Sequence, residues 1–122
     1  MTNVVTDART LSDIVIQGLQ EIKGRQIVRM NMNQADGAVC DYFVLCTGTS
    51  DKHVQALAES VEKFVKDQAA EKPHSREGFQ KGEWVLLDYV NVVVHIFQAE
   101  ARNFFRLEDL WGDATFDRFE DL

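Results

Sequence analysis

The chain has 122 residues, 45% of them hydrophobic, and a single proline. This length suits one compact domain and leaves no room for a second. Twenty acidic residues outnumber thirteen basic ones, and the net charge of −7 disfavours general attraction to nucleic-acid phosphates and favours a basic partner surface. No apolar run approaches the ~20 residues that span a bilayer, and residues 1–9 resemble neither a signal peptide nor a transit peptide. We therefore expect a cytoplasmic protein.

The first predicted element is an amphipathic helix. Thr10 and Asp13 resemble a capping box at its start, and Gly24 stands where a left-handed residue would end it. Apolar residues recur at helical spacing between these signals. The predicted inward face consists of Leu11, Ile14, Val15, Leu19 and Ile22.

Two strands are predicted to follow. Residues 26–32 alternate in polarity and are expected to place three side chains on one face, Val28, Met30 and Met32. Residues 34–37 supply a turn. Residues 41–47 are apolar on both faces, which is typical of an interior strand. Cys40 and Cys46 match neither a redox CxxC pair nor a zinc ligand set, so we expect buried thiols and no metal or other cofactor.

A second helix and a hairpin come next. Thr49 or Ser50 can cap the helix, whose predicted inward face is Val54, Leu57, Ala58, Val61, Phe64 and Val65. Residues 74–79 predict a short edge strand. The β-rich runs 84–89 and 92–97, separated by Val90 and Asn91, predict a hairpin.

The end of the chain predicts a helix and a tail. Residues 100–110 favour a short helix that is broken near Arg106. Residues 113–122 carry two phenylalanines among acids and predict a short amphipathic turn or a disordered acidic tail. The predicted organisation is therefore a flexible N-terminus over residues 1–9, one domain over residues 10–112 and a tail over residues 113–122.

Two patterns raise the question of enzymatic chemistry. Gly48, Thr49 and Ser50 precede a helix, where backbone N–H groups can hold a phosphate, but the chain after them offers no pair of carboxylates for the metal ions of nucleotidyl transfer. Cys46, His95 and Asp88 all fall on predicted strands and would form a nucleophilic set only if they converged. Both patterns favour structural roles, a helix cap and strand residues.

The strand that begins at Trp84 carries a surface argument. Trp84, Leu86 and Asp88 share one of its faces, while Val85, Leu87 and Tyr89 share the other. An acid beside a large aromatic suits a patch for a basic, partly apolar partner. The alternative is that Trp84 and Trp111 are core residues, since large aromatics are usually well buried.

Four segments resemble one family. They are DYFVLCTGTSDKHVQALAESVE at residues 41–62, GEWVLLDY at 82–89, VVVHIF at 92–97 and ARNFFRLEDLWGDA at 101–114. Together they are similar to the ribosomal silencing factor family, also called Iojap-like, over about Leu11 to Ala114. The tail beyond Ala114 lies outside this resemblance.

The resemblance implies both a fold and a function. The fold is α/β, a mixed sheet of about five strands flanked by helices, similar to a nucleotidyltransferase that has lost its catalytic carboxylates. Family members bind ribosomal protein uL14 of the large ribosomal subunit, block association with the small subunit and repress translation under nutrient limitation; they often form homodimers. The resemblance implies no enzymatic activity, no membrane contact and no sequence-specific binding of nucleic acid. The alternatives are a degenerate nucleotidyltransferase-like enzyme or nucleotide binder, and a large-subunit assembly factor.

The resemblance also implies a set of partner-binding residues. Carried over by position, these are Trp84, Asp88, Tyr89, His95, Glu100, Arg102 and Phe105. One departure affects the rim of this surface. The family usually has Gly-Asp at the hairpin turn, and this chain has Val90 and Asn91, so one acidic contact is absent and a β-branched residue occupies the turn.

Overall fold

The computed structural model describes residues 6–33, 40–112 and 114–122. The predicted turn at residues 34–37 lies outside them. The elements in chain order are α1 (Ala8–Glu21), β1 (Arg25–Asn31), β2 (Tyr42–Gly48), α2 (Asp51–Ala69), β3 (Ser75–Glu77), β4 (Trp84–Asp88), β5 (Val92–Gln98), α3 (Ala99–Phe105), α4 (Leu107–Leu110) and β6 (Thr115–Arg118). The predicted mixed α/β class is confirmed.

The sheet has six strands in the order β3-β4-β5-β2-β1-β6. β2 and β5 are parallel neighbours, and the other adjacent pairs are antiparallel. The predicted interior strand is confirmed by β2, in which every residue is buried. The hairpin of β4 and β5 and the edge strand β3 are confirmed as well.

The prediction for residues 113–122 was wrong, and the expected count of five strands was short by one. Residues 115–118 form β6, which pairs with β1 at the edge of the sheet. Phe116 and Phe119 pack against opposite faces of the sheet, which anchors this short segment. Arg29 adds a charged anchor, because two of its nitrogens donate to Asp117 Oδ2 at 3.1 and 3.0 Å.

Both ends of α1 differ from the prediction by a few residues. The helix begins at Ala8, inside the expected flexible N-terminus, and its N-cap is Asp7, whose Oδ1 accepts from the Thr10 N–H at 2.7 Å. At the other end Lys23, with φ of 60°, is the left-handed residue. The N–H groups of Lys23 and Gly24 donate to Gln20 O and Leu19 O, the pattern of a Schellman motif.

Gly24 is therefore needed for space and not for a positive φ. A Cβ at this position would lie 2.6 Å from Cys46 Sγ and 3.0 Å from Leu19 O. A similar close approach occurs at Gly18, where a Cβ would lie 3.0 Å from Val61 Cα. The two glycines thus let α1 lie close to β2 and α2.

The sheet separates two apolar clusters. On one face, which we call the helix-covered face, α1 and α2 cover the sheet, and their predicted inward residues are buried apart from the half-buried Ile22 and Phe64. We call the other face the aromatic face; its buried residues are Val28, Met30, Met32, Phe43, Leu45, Val93, Phe97, Leu107 and Ala114. Among the described residues, only the short helices α3 and α4 contribute helical residues to this face, and Arg106 separates them at φ of 50°. The predicted break near Arg106 is thereby confirmed.

Candidate functional site

The alternation along β4 decides which side chains point to which face. Val85, Leu87 and Tyr89 are buried on the helix-covered face. Trp84, Leu86 and Asp88 point the other way and are half-buried. Trp84 and Leu86 pack against the buried residues of the aromatic face. The predicted division of the strand is confirmed. Trp84 is thus neither a fully buried core residue nor a free surface side chain.

Trp84 lies between the buried residues of the aromatic face and the solvent-exposed side chains of α3. Its ring centroid lies 5.3 Å from that of Phe97 and 4.5 Å from that of Phe105 on α3. Phe105 in turn contacts Phe104, with centroids 5.1 Å apart. Phe105 is 49% exposed and Phe104 is 81% exposed. We call the group Trp84, Phe104 and Phe105 the aromatic surface.

His95 lies beneath the aromatic surface and orients it. Its side chain is buried, and its Nδ1 accepts from the Trp84 Nε1–H at 3.0 Å. This acceptor role places the proton of the neutral imidazole on Nε2, which has no hydrogen-bond partner among the described residues. Burial lowers the pKa of His95 to about 4, so the ring is neutral at physiological pH. His95 is therefore a buried neutral residue that helps to position Trp84.

The side chain of Asp88 is half-buried and makes a hydrogen bond within the hairpin turn. Its Oδ1 accepts from the Val90 N–H at 2.7 Å, and the Asn91 N–H donates to Tyr89 O at 3.0 Å. Val90 adopts φ of 75°, so the hairpin turns tightly through a γ-turn. The carboxylate of Asp88 thus stabilises this turn.

Besides His95, two more of the predicted partner-binding residues lie away from the surface. Tyr89 is buried on the helix-covered face, where burial raises the pKa of its hydroxyl. Arg102 is also buried, and its guanidinium donates to Gln26 O at 2.6 Å, Thr47 Oγ1 at 2.9 Å and Glu108 Oε2 at 2.8 Å. Arg102 thereby fastens α3 to the sheet.

The structure brings four of the predicted residues to the accessible side of the aromatic face or of α3, namely Trp84, Asp88, Glu100 and Phe105. Two exposed apolar residues lie outside the predicted partner-binding set, namely Phe104 on α3 and Leu110, which is 68% exposed on α4. Their signal was present in the run of apolar residues in NFFRLEDL, but a helical face was needed to show that they point outward.

The geometry argues against both enzymatic patterns. Leu45 is opposite His95 in the parallel register and Cys46 is opposite Ile96, so Cys46 and His95 point to opposite faces of the sheet. Burial also raises the pKa of Cys46 to about 12 and that of the half-buried Cys40 to about 12, which keeps both as thiols. At the second helix, the Thr49 N–H donates to His53 Nδ1 and Ser50 Oγ accepts from the His53 N–H. The turn before α2 is thus a helix cap, as expected.

The described part of the chain holds no group of three or more His, Cys, Asp or Glu side chains placed to bind a metal ion. Nor does any helix within it have the length and apolar character needed to cross a membrane.

The fold and the surface together define a class, the small α/β proteins whose mixed sheet is covered by long helices on one face and carries exposed aromatic residues on the other. A family model for the ribosomal silencing factor during starvation, RsfS, matches residues 5–122. The chain belongs to the ribosomal silencing factor family. The match runs through β6 to the last residue, so the tail is part of the family's common region, contrary to our expectation.

Individual relatives agree with this assignment. The ribosomal silencing factor RsfS of Bacillus subtilis is 38% identical over 109 residues, which cover 87% of this chain and 88% of that protein. A crystal structure of a protein from Chromobacterium violaceum has a TM-score of 0.82 and 32% identity, with 88% of each chain covered. A mouse protein named for mitochondrial assembly of the ribosomal large subunit is 33% identical over 79 residues, 63% of this chain and 35% of its own length.

Proposed function

We propose that this chain binds the large ribosomal subunit at ribosomal protein uL14 and sterically blocks association with the small subunit, which represses translation under nutrient limitation. The observation that carries the proposal is the aromatic surface, where a half-buried tryptophan and two exposed phenylalanines adjoin on the less covered face of the sheet. Aromatic residues are enriched at the centres of protein interfaces, where they supply most of the binding energy. The names of the bacterial relatives support a ribosomal target.

The proposed mechanism needs no turnover. An interface of standard size, about 800 Å² per partner, is sufficient to hold a protein of this size where another subunit would dock. Two acids suit a basic ribosomal protein, Asp88 on the same face of β4 as Trp84 and Glu100 on the same helix as the phenylalanines. The net charge of −7 keeps the chain from bare RNA. A target on bacterial ribosomes implies a cytoplasmic protein.

A matched pair of charge reversals tests which face binds. Glu100→Lys changes an exposed acid on α3 beside the aromatic surface, whereas Glu59→Lys changes an exposed acid on α2, on the opposite side of the sheet. We expect Glu100→Lys to weaken co-sedimentation with purified large subunits and to relieve inhibition of subunit joining, measured by light scattering. Glu59→Lys is expected to behave like the wild type. Equal effects of the two variants would overturn the proposed face.

Truncation of an aromatic residue tests the centre of the surface. Phe105→Ala removes a ring that is half exposed and makes no hydrogen bond, so the fold is expected to survive. If Phe105 contributes to a hot spot, its loss costs about 1–2 kcal/mol of binding, or roughly a tenfold rise in Kd. Unchanged binding would exclude the aromatic surface as the contact.

We also propose, by family resemblance, that the chain forms a homodimer. Sedimentation of the free variants shows whether this homodimer depends on the same residues.

The name of the mouse relative favours a second candidate, a factor for large-subunit assembly. An assembly factor should bind immature large subunits better than mature ones, and its loss should cause precursors to accumulate. A silencing factor should bind mature subunits and reduce joining in a purified system. Comparison of binding to the two kinds of particle separates these functions.

A further inference from the structure

A crevice opens at one end of the sheet, the same end at which Trp84 pairs with Phe97. The parallel strands β2 and β5 end side by side at Gly48 and Gln98. The helices that follow them diverge, because α2 packs on the helix-covered face while α3 and α4 pack on the aromatic face. In α/β sheets, ligands bind at the carboxyl ends of strands where the chain diverges in this way.

Two cavities adjoin at this position. One, of about 470 Å³, lies at the strand ends and is lined by Arg25, Thr47, Gly48 and Gln98 among others. The other, of about 730 Å³, lies between β1, β6 and the helices α3 and α4. Both have Gln26 and Asp121 in their walls. Each cavity is of the size that holds small organic ligands in proteins.

Several arginines line this pair of cavities. Four of the chain's seven arginines line them, although the net charge of the chain is −7. Arg102 is buried between them and paired with Glu108. Arg25, Arg106 and Arg118 are exposed at their rims, where Arg106 forms an ion pair with Asp109. Guanidinium groups suit phosphate oxygens because they combine a fixed charge with several donors.

Gln26 and Asp121 form the contact that separates the cavities. Gln26 lies in an irregular part of β1 with φ of 50°, and its N–H donates to Asp121 Oδ1 at 2.8 Å. Asp121 Oδ2 lies 3.9 Å from a nitrogen of Arg25. A carboxylate near the end of the chain thus occupies a backbone donor and a cation, and its own side chain remains 45% exposed.

We propose that the two cavities form a binding site for a phosphate-bearing small molecule of nucleotide size, and that Asp121 occupies the donors of this site when the ligand is absent. A phosphate oxygen would accept the Gln26 N–H in place of the carboxylate. Arg118, together with Arg25 once Asp121 has released it, would balance the phosphate charge. The net charge of −7 disfavours an extended polyanion such as RNA, which would reach beyond these arginines over the acidic surface of the chain. This site goes beyond the proposed contact with the ribosome and involves no chemical step.

A matched pair of variants of the full chain tests the proposal. Asp121→Ala removes the competing carboxylate, and Glu120→Ala removes an equal charge from the exposed neighbouring residue. The probes are inorganic pyrophosphate and ATP without magnesium, followed by calorimetry and by the amide NMR signal of Gln26. We expect saturable shifts at Gln26 and, for Asp121→Ala, affinity higher than wild type by about fivefold or more. Glu120→Ala should change the affinity by less than about twofold.

Three outcomes would overturn the proposal. The first is no saturable shift at Gln26 in wild type and Asp121→Ala up to about 10 mM of either probe. The second is an equal gain in affinity for Glu120→Ala, because the effect would then be one of general charge. The third is a shift at Gln26 caused by a single-stranded RNA oligonucleotide but by neither small probe. Since no ribosome is present, these results are independent of the proposed silencing function.

Discussion

At the residue scale, His95 is the most unusual group beneath the proposed interface. It is a buried neutral imidazole whose Nδ1 is used by Trp84, and its Nε2 has no partner among the described residues. A residue assigned to the partner surface by family resemblance is thus a support for that surface. The same burial makes His95 a source of pH-dependent stability.

We expect stability to fall as the pH is lowered through the titration of His95. The pKa of His95 is 6.5 in an ordinary setting and about 4 in the folded protein. Between these values the unfolded chain binds a proton that the folded protein does not, so the free energy of unfolding decreases by up to about 1.4 kcal/mol per pH unit. Urea unfolding at several pH values between 7 and 4 measures this slope.

His95→Gln is the control for that slope. The amide oxygen of glutamine can still accept the Trp84 N–H, but the side chain does not titrate. The variant should therefore lose stability less steeply than the wild type over the same pH range. Parallel slopes for the two proteins would show that His95 does not carry the effect.

At the element scale, the hairpin turn and the edge strand β6 are held by individual side chains. The turn between β4 and β5 forces Val90 into a positive φ, which a β-branched residue adopts only with strain. β6 depends on Arg29, a buried guanidinium that also donates to Ser12 Oγ at 3.0 Å and forms an ion pair with Asp13. Substitution of Val90 or of Arg29 therefore tests how each of these two elements is held.

Val90→Gly should stabilise the protein. Glycine adopts a φ of 75° without a Cβ clash, and Val90 is 59% exposed, so little apolar contact is lost. Relief of the strain should raise the free energy of unfolding by about 1 kcal/mol. Asn91→Gly is the matched control, because Asn91 has no positive φ and glycine there only adds freedom to the unfolded chain. A rise in the free energy of unfolding for Asn91→Gly and none for Val90→Gly would show that Val90 is not strained in the folded protein.

Arg29→Met should loosen β6 before the rest of the sheet. The variant keeps the apolar stem but removes the hydrogen bonds to Asp117, and bonds to charged groups contribute about 1.5–3 kcal/mol. Amide hydrogen exchange should accelerate in β6 while β2 and β5 stay protected. The control is Arg76→Met, whose exposed ion pair with Glu62 is expected to contribute less than about 1 kcal/mol. Unchanged exchange in β6 would show that Phe116 and Phe119 suffice to hold the strand.

At the scale of the whole molecule, the acidic charge bears on the proposed contact with the ribosome. The net charge of −7 favours encounter with a basic ribosomal protein. We therefore expect the association rate with large subunits to fall as the salt concentration rises, with a smaller change in the dissociation rate. Stopped-flow binding at several ionic strengths measures both rates. A salt effect confined to dissociation would contradict electrostatic steering.

The sequence by itself determined the properties that depend on local pattern and bulk composition. Helical spacing predicted the inward faces of α1 and α2, alternation predicted the two sides of β4, and the apolar run predicted the interior strand β2. The aromatic and acidic character of the 84–89 segment was also evident, as was the family. These features depend on neighbours in the chain, and windows of about 4–18 residues are enough to display them.

Only the tertiary structure decided which surfaces remain open and which polar residues are buried. Alternation shows that Trp84 and Val85 point apart, but the helices that cover one face come from distant parts of the chain. The family resemblance placed Arg102 and Tyr89 at the partner surface, whereas the packing of α3 and of the helix-covered face buries them. Likewise, residues 115–118 form a strand because β1, about 90 residues earlier, offers a free edge and Arg29. Such contacts join residues far apart in sequence, so no local pattern displays them.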